Sequence, residues 1–471
     1  MPTLQLARAD LPFLGLGVAL TFAAVLATER IGETLTLAFL VALLLFFGFV
    51  VGFLAAPHLT IAIMIPLFAL LPAVRILFLP NAGPLKDLVS LAAIAAGAAI
   101  LVKANTVRER LRGDFWIGIL VALLGSLYLI NLGGGPEWDI AWAHGVRLVC
   151  LPLLLLLVGF TLGDSRRTLD WAMTSLIVTG CFVALVGLGQ QQVGADRLAD
   201  MGYEFDRQLR TIGDRLRSFG TLDDPFLYAT FLLFALAAVV FWMRRGLLAY
   251  GIGTLLATGI AVSYVRTAIL VVFALAGLAL ARRGQATIAV LFLGGALLVG
   301  FAVFAVASGG SETRQVRSSD GSSYLTINER TTGWKLLFED RNSLALGKGV
   351  GEVGTAAERA SFTLTRDDEE DGNVAVDSGY LATVADIGIV GLSLLVLLFT
   401  RILILAKQGM QRGLAAGWLA AGFTVIILID ALTRESFTSF PNAFLGFLLV
   451  GLALAACAPA PGRERRGRRA T

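Results

Sequence analysis

The fold class predicted by this sequence is an all-α polytopic membrane bundle of about fourteen transmembrane helices, with one long non-cytoplasmic loop carrying amphipathic helical turns. Three observations predict it. Hydrophobic residues make up 57% of the 471 positions, and the mean hydropathy is +0.79. Apolar stretches long enough to cross a bilayer, about eighteen residues or more, recur along the whole length. Among the short connections between those stretches, Lys and Arg concentrate in alternate ones. Inside lipid each stretch is expected to be helical, because every backbone polar group must be satisfied within the segment.

Taken in order, the expected spans are 11–28, 34–55, 57–79, 86–102, 115–132, 141–162, 171–190, 225–243, 247–263, 264–281, 286–307, 380–405, 413–431 and 438–458. The first is a full-length span with no A-x-A-like site after it, so it is expected to remain in the mature chain. Residues 1–471 then form a single integral membrane domain. The connections 103–114 (KANTVRERLRGD), 164–170 (DSRRTLD), 243–246 (MRRG), 281–284 (ARRG) and 406–413 (AKQGMQRG) are basic, as is the tail 462–469. All fall on one side of the fourteen-span arrangement. The short connections TERIGE, NAGP and LGGGPEWDI, on the other side, carry little or no positive charge. Lys and Arg of short loops mark the cytoplasmic face, which places both termini in the cytoplasm.

The net charge of +4 is thus a topology signal. No basic soluble face exists for nucleic acid. Cys150, Cys181 and Cys457 all lie in expected spans, so they describe neither a disulfide framework nor a metal site. His58 and His144 sit at polar–apolar boundaries and are read as interfacial. No cofactor or metal is expected.

Two non-cytoplasmic loops are long: 192–224 and 308–377. The stretch SGGSETRQVRSSDGSS (308–323) has the composition of a disordered segment. After it, TINERTTGWKLLFEDRNS opens with Thr326 and Glu329 at capping-box spacing. Arg330 and Trp334 share one side of the helix that follows. That pair suits a helix at the headgroup level, either anchoring by a snorkelling Arg or aiming its cation at anionic lipid chemistry. Arg266, in VSYVRTAILVV, stands about a turn into an apolar run on the side opposite the topology-determining charges. An intramembrane ionisable group is by default a functional candidate facing the protein interior. Arg217, in RLRSFGTLDDPFLYATF, lies just outside a span, and Asp224 with Pro225 forms a cap and first-turn pair for the next helix. Several outer arginines therefore converge on one level of the membrane. Their planar, permanently charged forks match phosphate oxygens.

From about Arg217 to about Leu405 the chain resembles the superfamily of O-antigen ligases and Wzy-type polysaccharide polymerases, bacterial inner-membrane glycosyltransferases. RSFGTLDDPFLYATFLL resembles the family's R-x-x-G-T start of a span, and VSYVRTAILVV its turn between two spans. RTTGWKLLFEDRNSLALGKGVG resembles its R-x-x-x-W amphipathic helix with a Gly-rich continuation, and DSGYLATVADIGIVGLSLL its re-entry. The resemblance implies that the two long loops are periplasmic and that the membrane is the bacterial inner membrane. It implies that Arg266 and Arg330 bind the diphosphate of an undecaprenyl-linked glycan donor and that Arg217 lines the same cavity. Trp334 and Tyr380 support the site in this reading. Asp377 stands where the ligases carry a catalytic His, and Ser378 replaces the commoner Asn, so the resemblance favours a polymerase over a lipid A ligase. A glycan acceptor, membrane lipid and polysaccharide-assembly proteins are the partners it implies.

The chemistry is consistent with these roles. A diphosphate leaving group needs charge neutralisation, which two guanidinium groups supply. A sugar hydroxyl needs a positioned base, and a carboxylate at a membrane-edge cavity has its pKa raised by desolvation. Asp377 is the candidate base, with N-capping of the helix that starts at Ser378 as its alternative role. Asp386 is expected to make a polar contact in the bundle interior. DDEEDG (367–372) lacks calcium-loop spacing, and GKGVG (347–351) lacks the P-loop ending. The rivals are a ligase with a lipid or protein acceptor, a transporter or flippase, and a non-enzymatic scaffold. Against a transporter, no pair of Gly/Pro-broken helices stands in corresponding halves.

The charge pattern makes the side of 308–377 testable. A single cysteine at Ser318 should react with a membrane-impermeant thiol reagent applied to spheroplasts. Labelling only after the inner membrane is permeabilised would reverse the assigned orientation.

Overall fold

The computed structural model describes residues 33–103, 115–132, 138–163, 166–203, 210–212, 215–285, 287–288, 344–351 and 378–457. They form an all-α bundle. Its helices are α1 (Glu33–Ala55), α2 (Pro57–Leu77), α3 (Leu85–Lys103), α4 (Phe115–Ile130), α5 (Trp138–Leu162) and α6 (Arg166–Val193). They continue with the short α7 (Ala195–Asp200), then α8 (Pro225–Trp242), α9 (Leu247–Ala261), α10 (Arg266–Arg282), α11 (Gly379–Gln411), α12 (Ala415–Asp430) and α13 (Asn442–Cys457). A two-stranded antiparallel ribbon, β1 (Thr211–Ile212) with β2 (Arg215–Leu216), precedes α8. Six helices (α2, α3 with the turn before it, α5, α6, α8 and α11) are long and apolar enough to cross a membrane, and five shorter apolar helices accompany them. Each expected span that falls on described residues is a helix. The spans 11–28 and 286–307 lie outside the described residues, except for Thr287 and Ile288.

Two helices form the centre. α8 and α13 are buried on nearly every face, as expected for helices that are apolar all round. The amide of Asn442 donates to Leu227 O at 2.8 Å, which ties their first turns together, so the two run parallel. α13 packs most closely on α5. Gly159 and Gly451 face each other there, and a Cβ on either would meet the opposite backbone. Such small-residue seams replace the missing hydrophobic drive between helices in lipid.

The two ends of the bundle differ. Where α8 and α13 finish, basic side chains cap free carbonyls: Arg282 donates to Phe241 O at 2.8 Å and Arg412 to Cys457 O at 3.0 Å. Cations near helix C-termini satisfy the last carbonyls and the dipole. Where α8 and α13 begin, the irregular segments gather.

One helix differs from its expected form. α11 is broken at Ile387 (φ −133°, ψ 16°) and Gly388 (φ 70°, ψ −172°), within a run that reads as a continuous span. The segment Leu344–Gly351 docks in the break. Lys348 N–H donates to Ala385 O at 2.7 Å, Ile389 N–H to Leu344 O at 3.0 Å and Val390 N–H to Ala345 O at 3.4 Å. The side-chain amide of Asn131, at the end of α4, donates to the carbonyl of Asp386. The Asp386 carboxylate accepts weakly from Gly351 N–H at 3.4 Å, so the expected interior contact of Asp386 is found. Unwound backbone is tolerated at this depth because other protein groups satisfy it.

Gly388 has left-handed backbone, and a Cβ there would meet the Ala345 carbonyl. Gly388→Ala should therefore destabilise the protein by about 2–4 kcal/mol, from conformational strain and overpacking together. Gly253→Ala, in α9 where a Cβ meets nothing within 4 Å, should be neutral or slightly stabilising. Thermal unfolding of the purified variants checks both, and equal melting temperatures would contradict the docking role of the break.

Candidate functional site

The site is built where residues 215–224 turn over the starts of α8 and α10. Gln190, near the end of α6, anchors it. Its side-chain oxygen accepts from Phe219 N–H at 3.0 Å and Gly220 N–H at 2.8 Å, and its amide donates to Gly220 O at 2.8 Å. Thr221 donates to Ala69 O at 2.8 Å, and Ser218 N–H to Val262 O at 3.0 Å. Arg210, almost fully buried, pairs with Asp223 and lies 4.6 Å over the ring of Phe219. Asp224 is the N-cap of α8, accepting from Phe226 N–H at 2.5 Å and Leu227 N–H at 3.2 Å, with Pro225 at the first helical position. The capping pair expected there is present.

This frame buries Arg217, which is only 4% exposed. Its Nε donates to Ser263 O at 3.1 Å, and its guanidinium lies 4.6 Å over the Phe226 ring. Burial lowers its pKa most; Asp224 opposes the shift and Arg266 adds to it. Arg266, expected to face the protein interior, is instead exposed, because it is the first residue of α10, at the end of the bundle. The structure thus brings Arg217 and Arg266 within electrostatic reach of each other.

The connection between α12 and α13, residues 431–441, closes the other side. Gly379 N–H is shared by Ala431 O at 2.9 Å and Arg434 O at 2.8 Å, and Ser378 Oγ donates to Ala431 O at 3.2 Å. Tyr380 donates to Leu428 O at 2.8 Å and meets Phe437 edge to face at 5.4 Å. Tyr380 therefore fastens α11 to α12. The first turn of α10 joins through Thr433 and Thr267, whose hydroxyls are 3.3 Å apart. The N-cap of α11 falls on Ser378, one residue later than the alternative role considered for Asp377. Asp377, Arg330 and Trp334 lie outside the described residues.

A third cation joins the pair. Arg434 lies 5.9 Å over the same Phe226 ring that Arg217 covers, and its Nε is 3.8 Å from the carboxylate of Asp430. Ser436 holds that carboxylate at 2.6 Å. Arg434 Nη1 is buried without a hydrogen-bond partner among the described residues. Sequence reading passed over Arg434. Its signal was the one that singled out Arg266: a cation in a short connection on the side where topology places few. Two guanidinium groups against one aromatic ring, with a third heading the neighbouring helix, suit a ligand that carries several anionic oxygens.

Arg434→Gln should cost about 1–3 kcal/mol, because the buried Asp430 loses its cation. Combining it with Asp430→Asn should recover most of that loss, since the two residues act as a pair. Thermal unfolding of the three variants checks the coupling, and strictly additive losses would dissolve the pair. A scan against models of known protein families finds no match for this chain, and a search of curated proteins finds none either.

Proposed function

We propose that the chain is a membrane glycosyltransferase. It moves a glycan from an undecaprenyl-diphosphate carrier to a sugar hydroxyl, as in polymerising the repeat units of a surface polysaccharide. The observation that carries this reading is the grouping of Arg217, Arg266 and Arg434 at one end of an apolar bundle, two of them against Phe226. In this reading the bundle has fourteen spans in the bacterial inner membrane, both termini are cytoplasmic, and the arginine end is periplasmic.

The acceptor hydroxyl attacks the anomeric carbon opposite the diphosphate, and the new C–O bond forms as the bond to the diphosphate oxygen breaks. The leaving oxygen takes the bonding electrons, and the guanidinium groups balance its charge. Asp377 takes the hydroxyl proton, and the anomeric centre inverts. Arg330 adds a further fork for the diphosphate. A ligase with a lipid or protein acceptor would use the same steps.

The transporter reading gains one observation, the break in α11, since broken helices line ion and substrate paths in many transporters. Leu344–Gly351 and Asn131 occupy Ala385 O, Asp386 O, Ile389 N and Val390 N at that break, which leaves those groups engaged by protein. This favours the transferase.

The test uses the purified full chain with a lipid-linked repeat unit. Asp377→Asn should lower turnover by ~10²–10⁴-fold, the usual contribution of a positioned base, with normal insertion and donor binding. Asp377→His should retain part of the activity. Arg266→Lys and Arg330→Lys keep the charge but lose the fork, and each should lose more than ~tenfold. Long polymer from the Asn variant would remove Asp377 from the chemistry, and wild-type rates in both Lys variants would reduce these arginines to anchors.

A further inference from the structure

A second group of polar side chains sits at the same end of the bundle, on α3 and α5. Asp87 lies in the first turn of α3, and Arg147 lies nine residues into α5. Their charged atoms are 3.5 Å apart. The other Arg147 terminal nitrogen donates to His144 Nδ1 at 3.1 Å, because Arg has no acceptor. All three are half-buried, so the group lies at the edge of the bundle interior.

The pairing is incomplete. Asp87 Oδ1 and Arg147 Nε are buried and find no hydrogen-bond partner among the described residues, and the same is true of Trp142 Nε1 on α5. Leaving a buried donor or acceptor unpaired costs ~1–3 kcal/mol each. The first two belong to side chains already 3.5 Å apart, and together they call for a ligand that supplies both a donor and an acceptor. The charges narrow its class. Arg147 and Asp87 cancel, so an anion would meet the open carboxylate oxygen and a cation would meet the guanidinium. A hydroxyl suits both: it donates to Asp87 Oδ1 and accepts from an N–H.

We propose that Asp87, His144 and Arg147 form a second binding site that takes a neutral, hydroxyl-rich group, and that its occupant is the acceptor sugar. The preference for a neutral polyol stands on the unpaired atoms alone; the role as acceptor rests on the transferase reading. The connection 431–441 links the two sites. Arg434, near its start, lies against Phe226, and Phe440, near its end, lies 4.9 Å beneath Lys86, the neighbour of Asp87. Five residues lie between Arg434 and Phe440, and the backbone joining the two spans at most about 22 Å.

The experiment uses the full chain in lipid nanodiscs, without any lipid-linked donor. Saturation-transfer difference NMR is recorded with methyl glycosides of common hexoses and N-acetylhexosamines. At least one glycoside should bind the wild-type protein, and its affinity should fall at least tenfold in Asp87→Asn and in Arg147→Gln. His144→Gln, which frees Arg147 but spares the ion pair, should also weaken binding, and it serves if either of the others fails to fold. Absence of glycoside binding to the wild type, or binding unchanged in every folded variant, overturns the site. Glycoside binding as expected, together with full transfer by Asp377→Asn, would sink the proposed catalytic role of that residue and leave this site standing.

Discussion

Backbone groups inside an apolar bundle have no water to turn to, and the organisation of this protein follows from that. An unpaired N–H or carbonyl away from water costs several kcal/mol in lipid. Each departure from helix must therefore be met by another departure. At the end where α8 and α13 begin, residues 218–221 meet the ends of α2 and α9 and the Gln190 side chain of α6, Leu344–Gly351 meets the break in α11, and Ala431 and Arg434 meet the start of α11. The irregular chain is a second layer of hydrogen bonding laid across the helix ends.

That layer also gathers the charges. Arg217 is buried because its segment is pinned by Gln190 and Val262, and the pinning brings its guanidinium over Phe226. Arg434 reaches the same ring from the other side of the chain because its own carbonyl holds Gly379. The energy that places these cations comes from neutral backbone pairing. Arg266 acts on Arg217 as a like charge, and the Asp224 carboxylate outweighs it.

What was legible in the sequence was local. Span limits follow from runs of apolar residues, and the Asp224–Pro225 start of α8 follows from capping chemistry within three residues. Arg217 and Arg266 were visible as cations on the sparsely charged side. Arg434 carries the same mark, in a connection that it shares with Glu435. Asp87 and Arg147 each lie inside an expected span, and His144 reads as interfacial when taken alone. Their meaning depends on a contact between positions sixty apart, which no window along the chain contains. The break in α11 was hidden because VADIGIVG reads as apolar and continuous. The docking of Leu344–Gly351 packs Ala345 and Leu346 against Gly388, and Asp386 and Ile387 against Gly347, and both glycines have positive φ.

The short helical piece before the break, residues 378–386, is held at both tips. Ser378 and Gly379 are bonded to the connection after α12, and Ala385 and Asp386 to Lys348 and Asn131. Swinging it would rupture hydrogen bonds at both tips where no solvent can replace them. A strut clamped this way behaves as a fixed bench: partners must travel to it. The cost of ordering this piece is met once, when the protein folds, and not again each time a partner arrives.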